Sequence, residues 1–160
     1  MARKVFFSFH YSRDIFRANV VRNSGFLQEE TGFVDHSLWE KSKLRGEAAL
    51  TQLIDSGLRG AGVTVVLIGA QTAGRKWVNY EIEQSWNAGK GLLGIRLRNL
   101  KDVRGSYDVA GKNPFDDFTL GQGTGKKSLS DHVEVYDWVN DDGYHNMSDW
   151  IEAAAKERGL

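Results

Sequence analysis

The chain contains no cysteine and no net charge, its 21 basic side chains balancing 21 acidic ones over 160 residues. Without cysteine there are no disulfide frameworks, thiolate nucleophiles or cysteine-based metal centres, so stability has to come from packing. Without a charge excess there is no electrostatic case for a sequence-independent nucleic-acid binder or for anchoring to an anionic membrane. The opening MARKVFFSFH passes from Arg3 and Lys4 into an apolar run far too short to span a bilayer, and it lacks a small-residue cleavage signal. These absences lead to the expectation of a soluble, cytoplasmic protein that engages neither nucleic acid nor membrane. The length suits a single domain over residues 1–160 with a substantial core.

What is present alternates between strand and helix signals. Lys4 to Phe9 is aromatic and β-branched, the pattern of a strand covered on both faces. Ser12 or Asp14 can cap a helix whose apolar positions Phe16, Val20 and Val21 run to about Asn23, with Gly25 ending it. Gly32 to Asp35 is short enough for an edge strand, followed by a loop through HSLWEKSK. Leu50, Leu53, Ile54 and Leu58 recur at three and four, so a second helix is expected from about Arg45 to Leu58, stopping near Gly60. Val63 to Ile68 is wholly apolar apart from Thr64 and reads as the central strand. A third helix is expected from about Lys76 to Ala88, with Val78, Ile82 and Ser85 or Trp86 facing inward. Gly91 to Leu97 is the fourth strand, its glycines allowing close helix approach. From about 99 to 130 neither periodicity holds, and the only proline, Pro114, lies there; a flexible excursion loop is expected. His132 to Val139 reads as the last strand, and Asn146 with Asp149 as the start of a final helix to about Arg158.

Strands alternating with helices and joined by right-handed crossovers make an α/β protein. Its five-stranded parallel sheet has the expected order 2-1-3-4-5. In such sheets ligands bind beyond the carboxyl ends of the strands, and three segments converge there: Ser8 to Ser12, Asp35 to Glu40, and Gly69 to Glu81.

Trp77 and Glu81 are four apart on a helix and share a face near its amino end. One reading is a surface tryptophan beside a solvated glutamate favoured by the helix dipole. The other is an aromatic plane and a carboxylate serving a ribosyl group with a flat, cationic leaving group, as in NAD. Nicotinamide leaves as a neutral base, so no general acid is needed and one carboxylate can stabilise oxocarbenium-like charge. Phe9, His10 and Tyr11 could line a nucleotide site or simply pack. His10 stands without metal-ligand spacing, and no metal site is expected. Asp35, Ser37, Trp39 and Glu40 offer ribose-hydroxyl acceptors and a stacking surface, or a solvated loop with an anchoring tryptophan. Arg75 and Lys76 open the Glu81 helix, as pyrophosphate ligands or as a solvated basic turn. The GQGTG of residues 121–125 lacks a clear strand before it and helix after it, and reads as loop.

VFFSFHYSRD, the VDHSLWE loop, VTVVLIGAQTAGRKWVNYEIEQS and the terminal VYDWVNDDGY together resemble the TIR-like group of bacterial antiphage defence, specifically the TIR subunit of the Thoeris system. The resemblance implies a flavodoxin-like, three-layer TIR fold and an NAD glycohydrolase or ADP-ribosyl cyclase activity. NAD is then a substrate and no cofactor is required. The products are nicotinamide and a cyclic or modified ADP-ribose that activates a separate effector as a diffusible messenger, and homo-oligomers are compatible with this. The family's catalytic glutamate matches Glu81 in WVNYE; Phe9 and His10 correspond to the first-strand loop that lines the family's pocket, and Asp35 to Trp39, Ser37 among them, to its neighbouring loop, while Trp77 joins the substrate-binding set through its spacing from Glu81. TIR-like folds also serve as non-catalytic interaction modules, which is the alternative. A receiver-like phosphoacceptor would need clustered acids at the strand ends, where Ser8, Phe9 and His10 stand instead. A flavin site would need a run of small hydroxylic residues after the first strand, which is missing.

Overall fold

The computed structural model describes residues 3–24, 28–32, 45–120 and 127–160. Along the chain run β1 (Arg3–Ser8), α1 (Tyr11–Arg22), β2 (Gln28–Gly32), α2 (Glu47–Arg59), β3 (Val63–Ile68), α3 (Lys76–Asn87) and β4 (Gly91–Arg96). A 3₁₀ turn (Pro114–Asp117), a ribbon of β5 (Thr119–Leu120) with β6 (Lys127–Ser128), and a second 3₁₀ turn (Leu129–Asp131) precede β7 (Val135–Asp137) and α4 (Gly143–Glu157). Five strands form one sheet in the order β2-β1-β3-β4-β7, every neighbouring pair parallel. Counted among sheet strands alone, this is 2-1-3-4-5; the antiparallel β5–β6 ribbon stands apart from it.

The sheet is the middle of three layers. Because side chains alternate across a strand, Val5 and Phe7 of β1 and Val63, Val65 and Leu67 of β3 face α1 and α4, packing with Ala18, Val21, Met147, Trp150 and Ile151. Phe6 of β1 and Val66 and Ile68 of β3 face the other way, toward α2 and α3, where they meet Ile54, Leu58, Val78 and Ile82. Every residue of β3 is buried, and each apolar side chain there contributes about 1.5–3 kcal/mol relative to exposure. That is why a short, unbroken apolar run takes the centre of the sheet. Gly91 lets α4 approach β4, since a Cβ there would sit 2.9 Å from the Ala154 carbonyl carbon. No helix among the described residues is long and apolar enough to cross a membrane.

Several expected elements shift. The second strand lies at Gln28–Gly32, earlier than the expected Gly32 to Asp35, and residues 33–44 fall outside the described set. It is a polar strand, QEETG, held by backbone pairing with β1, so hydropathy does not mark it. On α1 the inward face is not Phe16 and Val20, which are exposed, but Asp14, Arg17, Ala18 and Val21. The 98–108 segment supplies polar partners that let this helix bury charge. His10, rather than Ser12 or Asp14, stands at the N-cap position of that helix, with no side-chain hydrogen bond to its first turn. The last sheet strand is only Val135–Asp137, because pairing is confined to Gly94–Arg96 of β4. The final helix begins at Gly143 rather than near Asn146, started by Asp142 in the left-handed region (φ 53°) with its carboxylate against His145 Nδ1 at 2.8 and 2.9 Å.

The stretch from 99 to 130 is not loop throughout. Phe115 and Leu129, both on 3₁₀ turns, are fully buried against Val66, Ile68 and Ile82, and Asn113 caps the first turn by accepting from the Phe115 N–H at 2.9 Å. The expected GQGTG loop, residues 121–125, lies wholly outside the described residues.

Candidate active site

Glu81 lies on α3, whose buried residues are Val78, Glu81, Ile82 and Ser85. Position on the helix explains its orientation. Ile82 and Ser85 face β3, where Ile82 packs with Val66 and Ser85 Oγ lies 2.7 Å from Thr64 Oγ1. Trp77 and Tyr80 pack toward α2 and Phe6 of β1. Glu81 lies between these two stripes, so its side chain is directed onto the end of β1. Ser8 meets it there: Ser8 pairs in register with Val66 and shares its side of the sheet, two residues beyond Phe6. Since α3 runs back along the sheet from Lys76, Glu81 is recessed about 7.5 Å below the helix start at 1.5 Å per residue.

Glu81 is 4% exposed, which rules out the solvated surface glutamate. Burial raises its pKa well above the ordinary carboxylate value, and the Ser8 hydroxyl acts in the opposite direction. Ser8 Oγ and Glu81 Oε2 are both buried without a hydrogen-bond partner, although the Ser8 hydroxyl is close enough to act on the carboxyl. The backbone beneath is well anchored. Ser85 Oγ donates to the Glu81 carbonyl at 2.6 Å, and Tyr80 Oη donates to Asp55 of α2 at 2.8 Å. Burial and the adjacent Asp55 push the Tyr80 pKa up to about 12.

A second buried carboxyl lies on the far side of β3. Asp14 is 1% exposed, accepts from Arg13 at 2.8 Å through Oδ1 and leaves Oδ2 unpaired; burial, the larger effect, raises its pKa. It rests on Gly69, the residue after β3, where a Cβ would come within 2.2 Å of Oδ2. Arg13 also forms a bidentate pair with Asp108 at 2.7 and 2.8 Å, holding the Asp108 carboxyl below its usual range. Arg17 donates to the carbonyls of Leu100 and Ser106 at 2.8 and 2.9 Å, and Arg96 to that of Gly111 at 2.8 Å. Gly111 itself lies against Gly69, with room for no Cβ beside the Gly69 carbonyl. Residues 98–111 are therefore strapped across α1 and the carboxyl end of β3.

The other expected site residues separate. His10 is buried at the start of α1, its Nδ1 3.4 Å from Ser12 Oγ. Its pKa is lowered, by burial first and then by the charges of Arg75 and Arg13. Trp77 is partly buried against Phe6, Ile54 and Leu58, edge-on to Tyr80 and with Lys76 Nζ 5.3 Å from its ring centre. Phe9 packs on the α1 and α4 side of the sheet and stacks on Tyr11 at 6.0 Å, the face opposite Glu81. Asp35, Ser37 and Trp39 lie outside the described residues. Sequence reasoning placed Ser8 only at the start of a converging segment and Asp14 only as a helix cap, and gave neither a role in the site. The signal for Ser8 was available: a hydroxyl at the end of an apolar strand, in phase with Phe6.

Comparison with known proteins places this geometry in a family. The family model described as Thoeris protein ThsB, TIR-like domain, matches residues 6–102, from β1 through α3 and β4 into the strap. A curated relative from Bacillus cereus (strain MSX-D12), named putative cyclic ADP-D-ribose synthase ThsB1, is 39% identical over 191 aligned positions that span 94% of this chain and 100% of the relative. With Ser8, α3 and its buried Glu81 all inside the matched region, the chain belongs to the ThsB family of Thoeris TIR-like domain proteins.

Proposed function

We propose that the protein cleaves the bond between nicotinamide and ribose in NAD and turns the ADP-ribosyl moiety into a cyclic or otherwise modified ADP-ribose. That product acts as a diffusible signal in antiphage defence within the cytoplasm and activates a separate effector protein. The reading is supported by the printed name of the Bacillus cereus relative, a cyclic ADP-D-ribose synthase, and by the buried carboxyl of Glu81. The burial of Glu81 is the observation that carries it.

The chemistry suits such a group. Nicotinamide in NAD is a pyridinium, so breaking its bond to C1′ releases a neutral base and leaves positive charge on the ribosyl carbon. A carboxylate held in a dry recess stabilises that charge more strongly than one in water, because the effective dielectric is lower. A cationic ligand placed beside Glu81 also favours the ionised carboxylate and offsets the burial that raises its pKa. Attack on C1′ by another part of the same nucleotide gives a cyclic product; attack by water gives ADP-ribose. Trp77, His10, Asp35, Ser37 and Trp39 are assigned to positioning the nucleotide. Phe9 is assigned to supporting the rim from its packed side.

Purified protein incubated with NAD is expected to release nicotinamide, followed by chromatography, with the product identified by mass spectrometry in the reaction and in infected cells. Glu81→Gln is expected to abolish release while the circular dichroism spectrum is unchanged. Turnover retained in Glu81→Gln would overturn the assignment.

A further inference from the structure

Glu81 and Ser8 are the two unpaired buried polar atoms that share one side of the sheet at the end of β1. Ser8 is fully buried, and the strand register directs its hydroxyl toward α3, beside Val66, on which Ile82 packs. A buried polar atom without a partner is destabilising, and an opposed pair of them points to a state of the site that joins them. The ionised carboxylate is that state, because it only accepts hydrogen bonds and a serine hydroxyl can donate.

We propose that Ser8 is a positioning residue for Glu81, its hydroxyl donating to the carboxylate and fixing its orientation while positive charge develops on the ribosyl carbon. This rests on the reading of Glu81 as the catalytic carboxylate. Other charges around the pair are turned elsewhere. On α3, Lys76 pairs with Glu47 at 2.9 Å and Glu83 is exposed. On α2, Asp55 accepts from Tyr80; β3 carries no titratable group; and after β1, His10 is under the influence of Arg75 and Arg13. Burial and Ser8 are the influences on the Glu81 carboxyl, and they act in opposite directions. Removing a donor to the ionised form raises a carboxyl pKa, so loss of Ser8 moves the acid limb of activity to higher pH.

The test compares wild type, Ser8→Ala and Ser8→Cys in the full chain. Side-chain carboxyl carbons of labelled glutamate are followed by NMR across pH, with the Glu81 signal identified by its disappearance in Glu81→Gln. The acid limb of kcat/KM for nicotinamide release is measured in parallel. Ser8→Ala is expected to raise the Glu81 midpoint and the acid limb together by about one pH unit, the size of a lost hydrogen bond to a charged group. The weaker thiol donor in Ser8→Cys should give a smaller shift, and it carries the titration if Ser8→Ala does not fold. An unchanged Glu81 midpoint in folded Ser8 variants overturns the inference. Failure of the catalytic reading appears separately, as turnover retained in Glu81→Gln.

Discussion

Replacing Glu81 with glutamine should make the protein more stable as it makes it inactive, and the gain should grow with pH. Burial raises the folded-state pKa of Glu81 above its unfolded value. A carboxyl raised in this way contributes stability that is fully present below the unfolded pKa, about 4.3, and is lost as pH rises through the folded pKa. At pH 8 wild type therefore meets a cost that the neutral amide does not. Each pKa unit of elevation corresponds to about 1.4 kcal/mol. For a chain of 160 residues, 1 kcal/mol moves Tm by about 2–4 °C. The expected gain is then about 3–6 °C for every unit by which the pKa is raised. The amide itself introduces a constant term, since its N–H groups need acceptors in a recess where Ser8 is the polar neighbour. That term does not change with pH, so the informative quantity is the difference in Tm between Glu81→Gln and wild type measured at pH 4, 6 and 8. A difference that widens with pH supports the buried carboxyl. A difference that is flat from pH 4 to 8 would refute it, because the group would then titrate alike in the folded and unfolded chains.

Other expectations concern the segment strapped across α1 and the end of β3. Asp108 is held low chiefly by its bond with Arg13, so its contribution is present above the unfolded aspartate pKa and lost as pH falls through the folded one. Asp108→Asn should cost about 1–3 kcal/mol at pH 7 in urea unfolding, with the loss shrinking toward pH 3; an unchanged midpoint at pH 7 would contradict the strap. Phe115 is fully buried in the cluster with Val66, Ile68 and Ile82. Phe115→Ala should cost about 3–5 kcal/mol and speed amide exchange over 114–120, and a loss below about 1 kcal/mol would show that this turn does not anchor the segment.

The alternation of apolar strands with amphipathic helices was legible because it reports which faces are buried. Val63 to Ile68 carries its burial in its own composition, and Leu50, Ile54 and Leu58 mark the inner side of α2 by spacing. The strand Gln28–Gly32 was not legible, because a polar edge strand is held by the backbone of its neighbour. Nor was the inward turn of Asp14 and Arg17, which depends on partners near residues 100–108 that no local window contains. Pro114 and the glycines around it signalled loop, while Phe115 and Leu129 anchor that stretch through contacts with distant strands.

For the site, the chain by itself determined that a carboxylate stands on the helix after the central strand, four residues from a tryptophan, since spacing and composition are local properties. Tertiary structure decided what kind of carboxylate it is. Only the sheet register sets Ser8 opposite Glu81 and seals the acid from water, and burial is a property of the assembled layers rather than of any one segment.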